Sequence, residues 1–172
     1  MRENNFAYID GANLYNGIKS SNWELHYQRF RVWLLEKYSI QTAYLFLGLI
    51  SEYKDLYTRL QKDGFILVFK DVIYDDNGKP KGNCDADLVL HVVRDFYERK
   101  FDRAVIVSSD GDYASLVKFL QESKRILSIL SPYQAEKCSI LLKRTGVSIS
   151  YLSEQKYILS KNKKAPDRDE TL

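Results

Sequence analysis

The strongest constraint on this chain is the alternation of short apolar runs with segments of helical period. Residues 6–9 form an apolar run closed by Asp10-Gly11, which reads as a first strand. Residues 27–38 carry Phe30, Trp33, Leu34 and Tyr38 at helical spacing. The pattern then predicts a strand over 42–49, a helix over 52–62 capped by Ser51 and ended by Gly64, and a strand over 65–70. Residues 72–74 extend that strand ahead of the turn Asp75-Asp76-Asn77-Gly78 and a linker over 79–82. Further on it predicts helices over 85–98, 113–121 and 134–142, and strands over 103–108, 126–130 and 147–150. This rhythm specifies an α/β fold: a Rossmann-like, three-layer α/β/α sandwich with a mostly parallel central sheet. The chain of 172 residues accommodates one domain, 1–160, with 161–172 expected as a flexible charged tail.

Composition removes several function classes. Cys84 and Cys138 stand far apart with no CxxC spacing, which argues against a disulfide framework or a cysteine-built zinc site. The longest apolar stretch, 43–50, is too short to span a bilayer, so no membrane partner is expected. The first strand follows residues 1–5 with no signal peptide ahead of it, and a reducing, cytoplasmic setting is expected. The net charge of +3 permits a polyanionic partner without demanding one. There is no GxGxxG fingerprint, no GxxxxGK[ST] loop and no GxSxG elbow. His26 and His91 read as ordinary surface or packing residues, with His91 on the polar side of its helix. A homo-oligomer is left open.

What remains is acidic. Asp10 closes the first strand, Asp85 opens the helix at 85–98, and Asp110 and Asp112 follow the strand at 103–108. Open parallel sheets bind ligands outside the carboxyl ends of their strands, where Asp10 and Asp110 both fall. Each acid alone also has a plainer reading: Asp10-Gly11 as a turn, Asp112 or Asp85 as a helix cap. Helical phase refines the third position. With Asp85 at zero, Leu88, Val89, Val92, Val93 and Phe96 fall between about −60° and +80°, and Asp87 near ~200°. Asp85 therefore points with the apolar face toward the sheet, and Asp87 points to water. Carboxylates converging in this way repel one another unless a cation lies between them. An all-oxygen donor set suits Mg²⁺ or Mn²⁺ rather than zinc. Such a centre can activate water against a phosphodiester.

Three phrases carry a family resemblance. Tyr8-Ile9-Asp10-Gly11-Ala12-Asn13-Leu14, Lys81-Gly82-Asn83-Cys84-Asp85-Ala86-Asp87-Leu88 and Ser108-Ser109-Asp110-Gly111-Asp112-Tyr113 resemble, in order and spacing, the three motifs of the NYN (LabA-like) family, which has the PIN-like nuclease fold. The resemblance covers about residues 6–150, with Ser109 where the family usually has Gly and Cys84 where Val is common. It implies a ribonuclease whose metal-binding and catalytic set is Asp10, Asp85, Asp110 and Asp112. It also places Asn13 beside them and Ser108 where it would position a ligand or phosphate. Lys81, with Lys79, precedes the Asp85 helix and could contact an RNA backbone, and Lys124-Arg125 and Lys143-Arg144 could extend that surface; Lys81 apart, these residues read first as a solvated face.

Two rival classes share these residues. One is a non-catalytic module that binds RNA or a protein through the same fold. The other is a phosphatase, which Asp10 after a first strand invites. The phrase Asp10-Gly11-Ala12-Asn13 lacks the second aspartate two residues on that haloacid-dehalogenase phosphatases require.

Overall fold

Every long-range strand pairing in the central sheet is parallel. The computed structural model describes residues 2–162, within which β1 (Asn5–Asp10), β2 (Ile40–Gly48), β3 (Ile66–Lys70), β6 (Ala104–Val107), β7 (Ile126–Ser131) and β8 (Ile149–Tyr151) form one sheet. Their order is β3-β2-β1-β6-β7-β8. The chain winds outward from β1 in one direction and from β6 in the other, so the switch point lies between these two strands.

Seven helices cover the two faces: α1 (Gly11–Ser20), α2 (Tyr27–Tyr38), α3 (Lys54–Lys62), α4 (Asp85–Tyr97), α5 (Ala114–Glu122), α6 (Ile140–Lys143) and α7 (Lys156–Leu159). Successive strand residues point to opposite faces, and β1 divides accordingly. Ala7 and Ile9 join the core under α1, α2, α3 and α7, with Leu14, Phe30, Leu34 and Leu60. Phe6 and Tyr8 join the core under α4, α5 and α6, with Leu88, Val92, Val117 and Leu142. Being covered on both faces, β1 and β6 are buried along their whole length.

The structure departs from the sequence pattern in several places, and residues 152–159, where no element was expected, form a 3₁₀ turn and α7. Residues 11–20, where no element was expected, form α1. Ser51 does not cap α3: a short 3₁₀ turn, Ser51–Tyr53, precedes it, and the Ser51 hydroxyl turns to Glu52. The Tyr57 hydroxyl secures that loop instead, accepting the Ile50 N–H and donating to the Gly48 carbonyl. Ile73 and Tyr74 do not extend β3. They form β4 (Ile73–Tyr74), paired antiparallel with β5 (Pro80–Lys81), so the expected linker is half of a hairpin. Asp75 closes its turn by accepting the N–H groups of Asn77 and Lys79, both at 2.9 Å. Finally, the helix expected over 134–142 is broken into a 3₁₀ turn, Ala135–Lys137, and α6. The break occurs at Ser139, whose hydroxyl caps α6 and whose N–H donates to the Ser109 carbonyl.

Of the expected tail, Lys161 is docked: its N–H donates to the Glu24 carbonyl and its ammonium lies 3.2 Å from the Glu24 carboxylate. Residues 163–172 lie outside the described residues.

Candidate metal centre

Three loops meet at the switch point. Ile9 of β1 is in register with Val107 of β6, which places Asp10 beside Ser108 and the turn that follows. The hairpin β4–β5 returns the chain so that α4 starts at the same edge, with Asp85 as its first residue. Gly11 lets α1 start hard against β2, since a Cβ there would come 2.6 Å from the Phe46 carbonyl oxygen.

The structure brings Asp85, Asp110 and Asp112 together: one carboxylate oxygen from each lies within 4.8 Å of the other two. Asp85 and Asp110 are half-buried, and Asp112 is exposed. Asp10, only 8% exposed, sits behind this triad and is linked to it through Tyr113. The buried Tyr113 hydroxyl is 2.8 Å from Asp85 Oδ1 and 3.1 Å from Asp10 Oδ2. The other Asp10 oxygen accepts the Asn13 N–H, capping α1. Asp110 Oδ1 accepts the Asp112 N–H, so the capping role foreseen for Asp112 falls to Asp110. Asp85 is not a cap. Its N–H goes to Asn83 Oδ1 while its Oδ2 accepts from Asn83 Nδ2 at 3.0 Å. Asp87 points to solvent and pairs with Lys70 at 3.4 Å, as helical phase requires.

The supporting residues act through the backbone. Asn13 Oδ1 accepts the Ser109 N–H at 2.9 Å, tying α1 to the acid-bearing turn. Ser108 is fully buried and its hydroxyl accepts the Asp110 N–H. The Ser109 hydroxyl bonds Ser131 Oγ and accepts the Tyr133 N–H, so it joins this turn to the loop after β7. Tyr133, Asn13, Asn16, Asn83, Asp10, Asp85 and Asp110 line one cleft of about 250 Å³. Lys81 is exposed on β5, next to Gly82 of the cleft wall. Lys124 and Arg125 do not extend this surface. They precede β7 at the opposite, amino end of the strands, where Arg125 donates to the Phe101 and Asp102 carbonyls.

The NYN-domain family profile matches residues 7–165. This chain belongs to the NYN family. The NYN domain is similar in fold to a protein of unknown function, VPA0982, from Vibrio parahaemolyticus. That likeness has a TM-score of 0.74 at 19% identity and covers 92% of this chain and 96% of that one. The T5 D15 protein, co-crystallized with metal ions, is a more partial likeness. Its TM-score is 0.44 at 16% identity, over 74% of this chain and 54% of that one. No match was found among curated proteins.

The electrostatics of this NYN domain fit a hard divalent cation. Burial holds the Asp10 carboxyl above its ordinary range, and the charges of Asp85 and Asp110 add to that. The charge of Asp110 raises Asp112, with smaller contributions from burial and Asp85. Burial, with Asp10 next, pushes the neighbouring Cys84 thiol up to about 11, so it stays protonated at neutral pH and offers no thiolate. The donor set is therefore carboxylate oxygen alone.

A stability signature follows. An acid whose folded pKa is raised carries no penalty below its unfolded value of about 3.9. The penalty grows as pH rises and is complete above the folded value. Asp112→Asn removes that penalty. In EDTA at pH 7 the variant is expected to melt above the wild type, with the gap closing as the pH falls toward about 4. Thermal denaturation across that range checks it; a variant that melts lower at pH 7 would mean that no repulsion is stored there.

Two residues escaped the sequence reading. Tyr113 stood in the third motif without a role. Asp95 is fully buried on α4, accepting from the Tyr8 hydroxyl at 2.9 Å. Its signal was present, since it falls near −80° on the helical wheel, roughly at the rim of the apolar face. His91 is likewise not on an exposed polar face. Its ring packs, tilted, 4.5 Å from that of Tyr44 and its Nε2 lies 3.4 Å from Asp95.

Among the described residues no helix is long and apolar enough to cross a membrane.

Proposed function

We propose that this NYN domain is a metal-dependent endoribonuclease that hydrolyses RNA phosphodiester bonds. The observation that carries the reading is the Asp85–Asp110–Asp112 triad, three carboxylates within 4.8 Å of one another at the sheet's switch point. Mg²⁺ or Mn²⁺ would be held by Asp85, Asp110 and Asp112, with Asp10 completing the acidic set from behind. When bound, the cation supplies an activated water and offsets charge developing on the phosphate.

The chain's own residues supply the aim. Asn13 and Ser108 fix the turn that presents Asp110. Tyr133, anchored through Ser109, walls the cleft on the side facing away from the hairpin. Lys81 sits where a phosphate backbone entering over β5 would meet it, a contact that gives affinity without base choice. Family membership points the same way, toward RNA, and the net charge of +3 permits it.

The test is cleavage of single-stranded and structured RNA in Mn²⁺, in Mg²⁺ and in EDTA. Cleavage in metal, its loss in EDTA and its return on adding metal back are expected. Cleavage that survives EDTA overturns the metal-dependent reading. Binding of RNA without cleavage in either metal leaves the non-catalytic module in its place.

A further inference from the structure

Helix α1 carries one open stripe. Ala12, Tyr15, Asn16 and Lys19 stand at positions i, i+3, i+4 and i+7, and all four are exposed. Ala12 and Asn16 line the acidic cleft. Tyr15 and Lys19 line a second cavity, of about 220 Å³. From residue 12 to residue 19 the helix rises about 10 Å. One helix face therefore runs from the acids to this second cavity. The cavity is built of rings: Trp23, only 7% exposed in the link between α1 and α2, and Tyr27 wall it together with Tyr15. Phe65 packs edge-on against Tyr27, with 6.1 Å between ring centres, which fixes that wall. Tyr15 is 57% exposed, so its ring is free to take a partner. The Lys19 ammonium lies 5.7 Å from the centre of that ring and brings a cation to the same lining. The acid in the lining, Glu24, is paired with Lys161 at 3.2 Å.

We propose that this cavity is a base-binding subsite for single-stranded RNA. A strand that enters over β5 past Lys81 crosses the triad and leaves along the open stripe of α1. There one base stacks on Tyr15, against the walls made by Trp23 and Tyr27, and Lys19 meets a backbone phosphate. Every base has a π face, so the contact holds a strand without selecting its sequence. Bases in a duplex are already stacked on one another and do not enter, so the subsite favours unpaired RNA. The inference rests on RNA as the substrate in the ribonuclease reading and not on its cleavage.

The test is binding of a short, fluorescein-labelled single-stranded RNA in EDTA, read by anisotropy, for the wild type, Tyr15→Ala, Tyr15→Phe and Lys19→Ala. Both side chains are exposed, so the variants are expected to fold, and melting checks this. Tyr15→Ala is expected to bind about 5- to 150-fold more weakly, the range for losing one base–aromatic stack. Tyr15→Phe keeps the ring and should bind as the wild type does. Lys19→Ala should also bind more weakly, and its slope of log affinity against log salt should be smaller by about 0.7, the share of one phosphate contact on a single strand. Tyr15→Ala should leave that slope unchanged. Inorganic polyphosphate, which has no bases, should bind the wild type and Tyr15→Ala alike, as should a duplex of the same RNA.

Wild-type affinity for the single strand in Tyr15→Ala overturns the proposal, as does a loss in Tyr15→Phe as large as that in Tyr15→Ala. Polyphosphate that loses as much affinity as RNA in Tyr15→Ala also overturns it, since the surface is then a plain cationic patch. A wild type that binds no single-stranded RNA does the same. RNA that is held through Tyr15 but not cut in Mn²⁺ removes the ribonuclease reading and leaves the subsite standing. RNA that is cut in Mn²⁺, and bound equally by the wild type and Tyr15→Ala, removes the subsite and leaves the ribonuclease.

Discussion

Replacing Asp110 with asparagine is expected to lower RNA hydrolysis on the order of 10³-fold, the upper range for losing one preorganised electrostatic partner. Asp110 is central to the triad: its charge is the main influence raising Asp112, and its carboxylate lies within 4.8 Å of ligand oxygens of both other members. The substitution removes that charge and one anionic donor while leaving the local fold intact. Asp110 Oδ1 accepts the Asp112 N–H at 2.9 Å, and an amide oxygen can accept the same bond. The Ser108 hydroxyl still takes the N–H of residue 110, so the turn has no reason to open. Melting in EDTA should therefore hold or rise, since acids gathered for a cation cost stability when no cation is present. Single-turnover cleavage beside a melting curve separates the two effects. A variant that is folded and cuts at the wild-type rate would place the chemistry elsewhere, or in a contaminant.

How much of this was legible before the structure depends on which physical signal carried each part. Strands β1 and β6 are buried throughout and β2 and β7 over part of their length, and their apolar runs read directly. Helical phase separated Asp85 from Asp87 because one face of α4 is continuous with the core and the other is wet. Helix α1 was not legible. It offers only Leu14 and Ile18 as apolar anchors, and Gly11, Gly17, Asn13 and Asn16 are poor helix formers. It is held by tertiary contacts instead: Asp10 caps it and Asn13 ties it to the next loop. The placement of basic residues was illegible for a different reason. Lys124-Arg125 and Lys81 look alike in sequence, but strand direction puts one pair at the amino end of the sheet and the other residue beside the cleft. The sequence motifs grouped Asp10 with Asp85, Asp110 and Asp112, whereas the Tyr113 hydroxyl between Asp10 and Asp85 required coordinates.

Asp95→Ala is expected to destabilise the domain by about 3 kcal/mol, within the range for stranding a buried polar partner and breaking a buried charge contact. At this chain length that lowers the melting temperature by roughly 6–12 °C. Asp95 is 0% exposed, and Tyr8, whose hydroxyl it accepts, is 0% exposed on the central strand. Losing the carboxylate leaves that phenol with no partner in the core. Arg94 donates to His91 Nδ1, and His91 Nε2 approaches Asp95 at 3.4 Å, a second contact that the substitution removes. Burial lowers the His91 pKa and the Asp95 charge opposes that. Lys100, 3.3 Å from Asp95 and about half exposed, simply returns to water, so its share of the loss is small. Adding Tyr8→Phe to the variant should recover about half of the deficit, because it removes the unpaired hydroxyl that dominates it. No recovery would shift the cost to the cavity left by the carboxylate. Asp95 lies ten residues along α4 from Asp85, a rise of about 15 Å. Mn²⁺ affinity should therefore be untouched by either change, which separates an acid that holds the fold from the acids proposed to hold a metal.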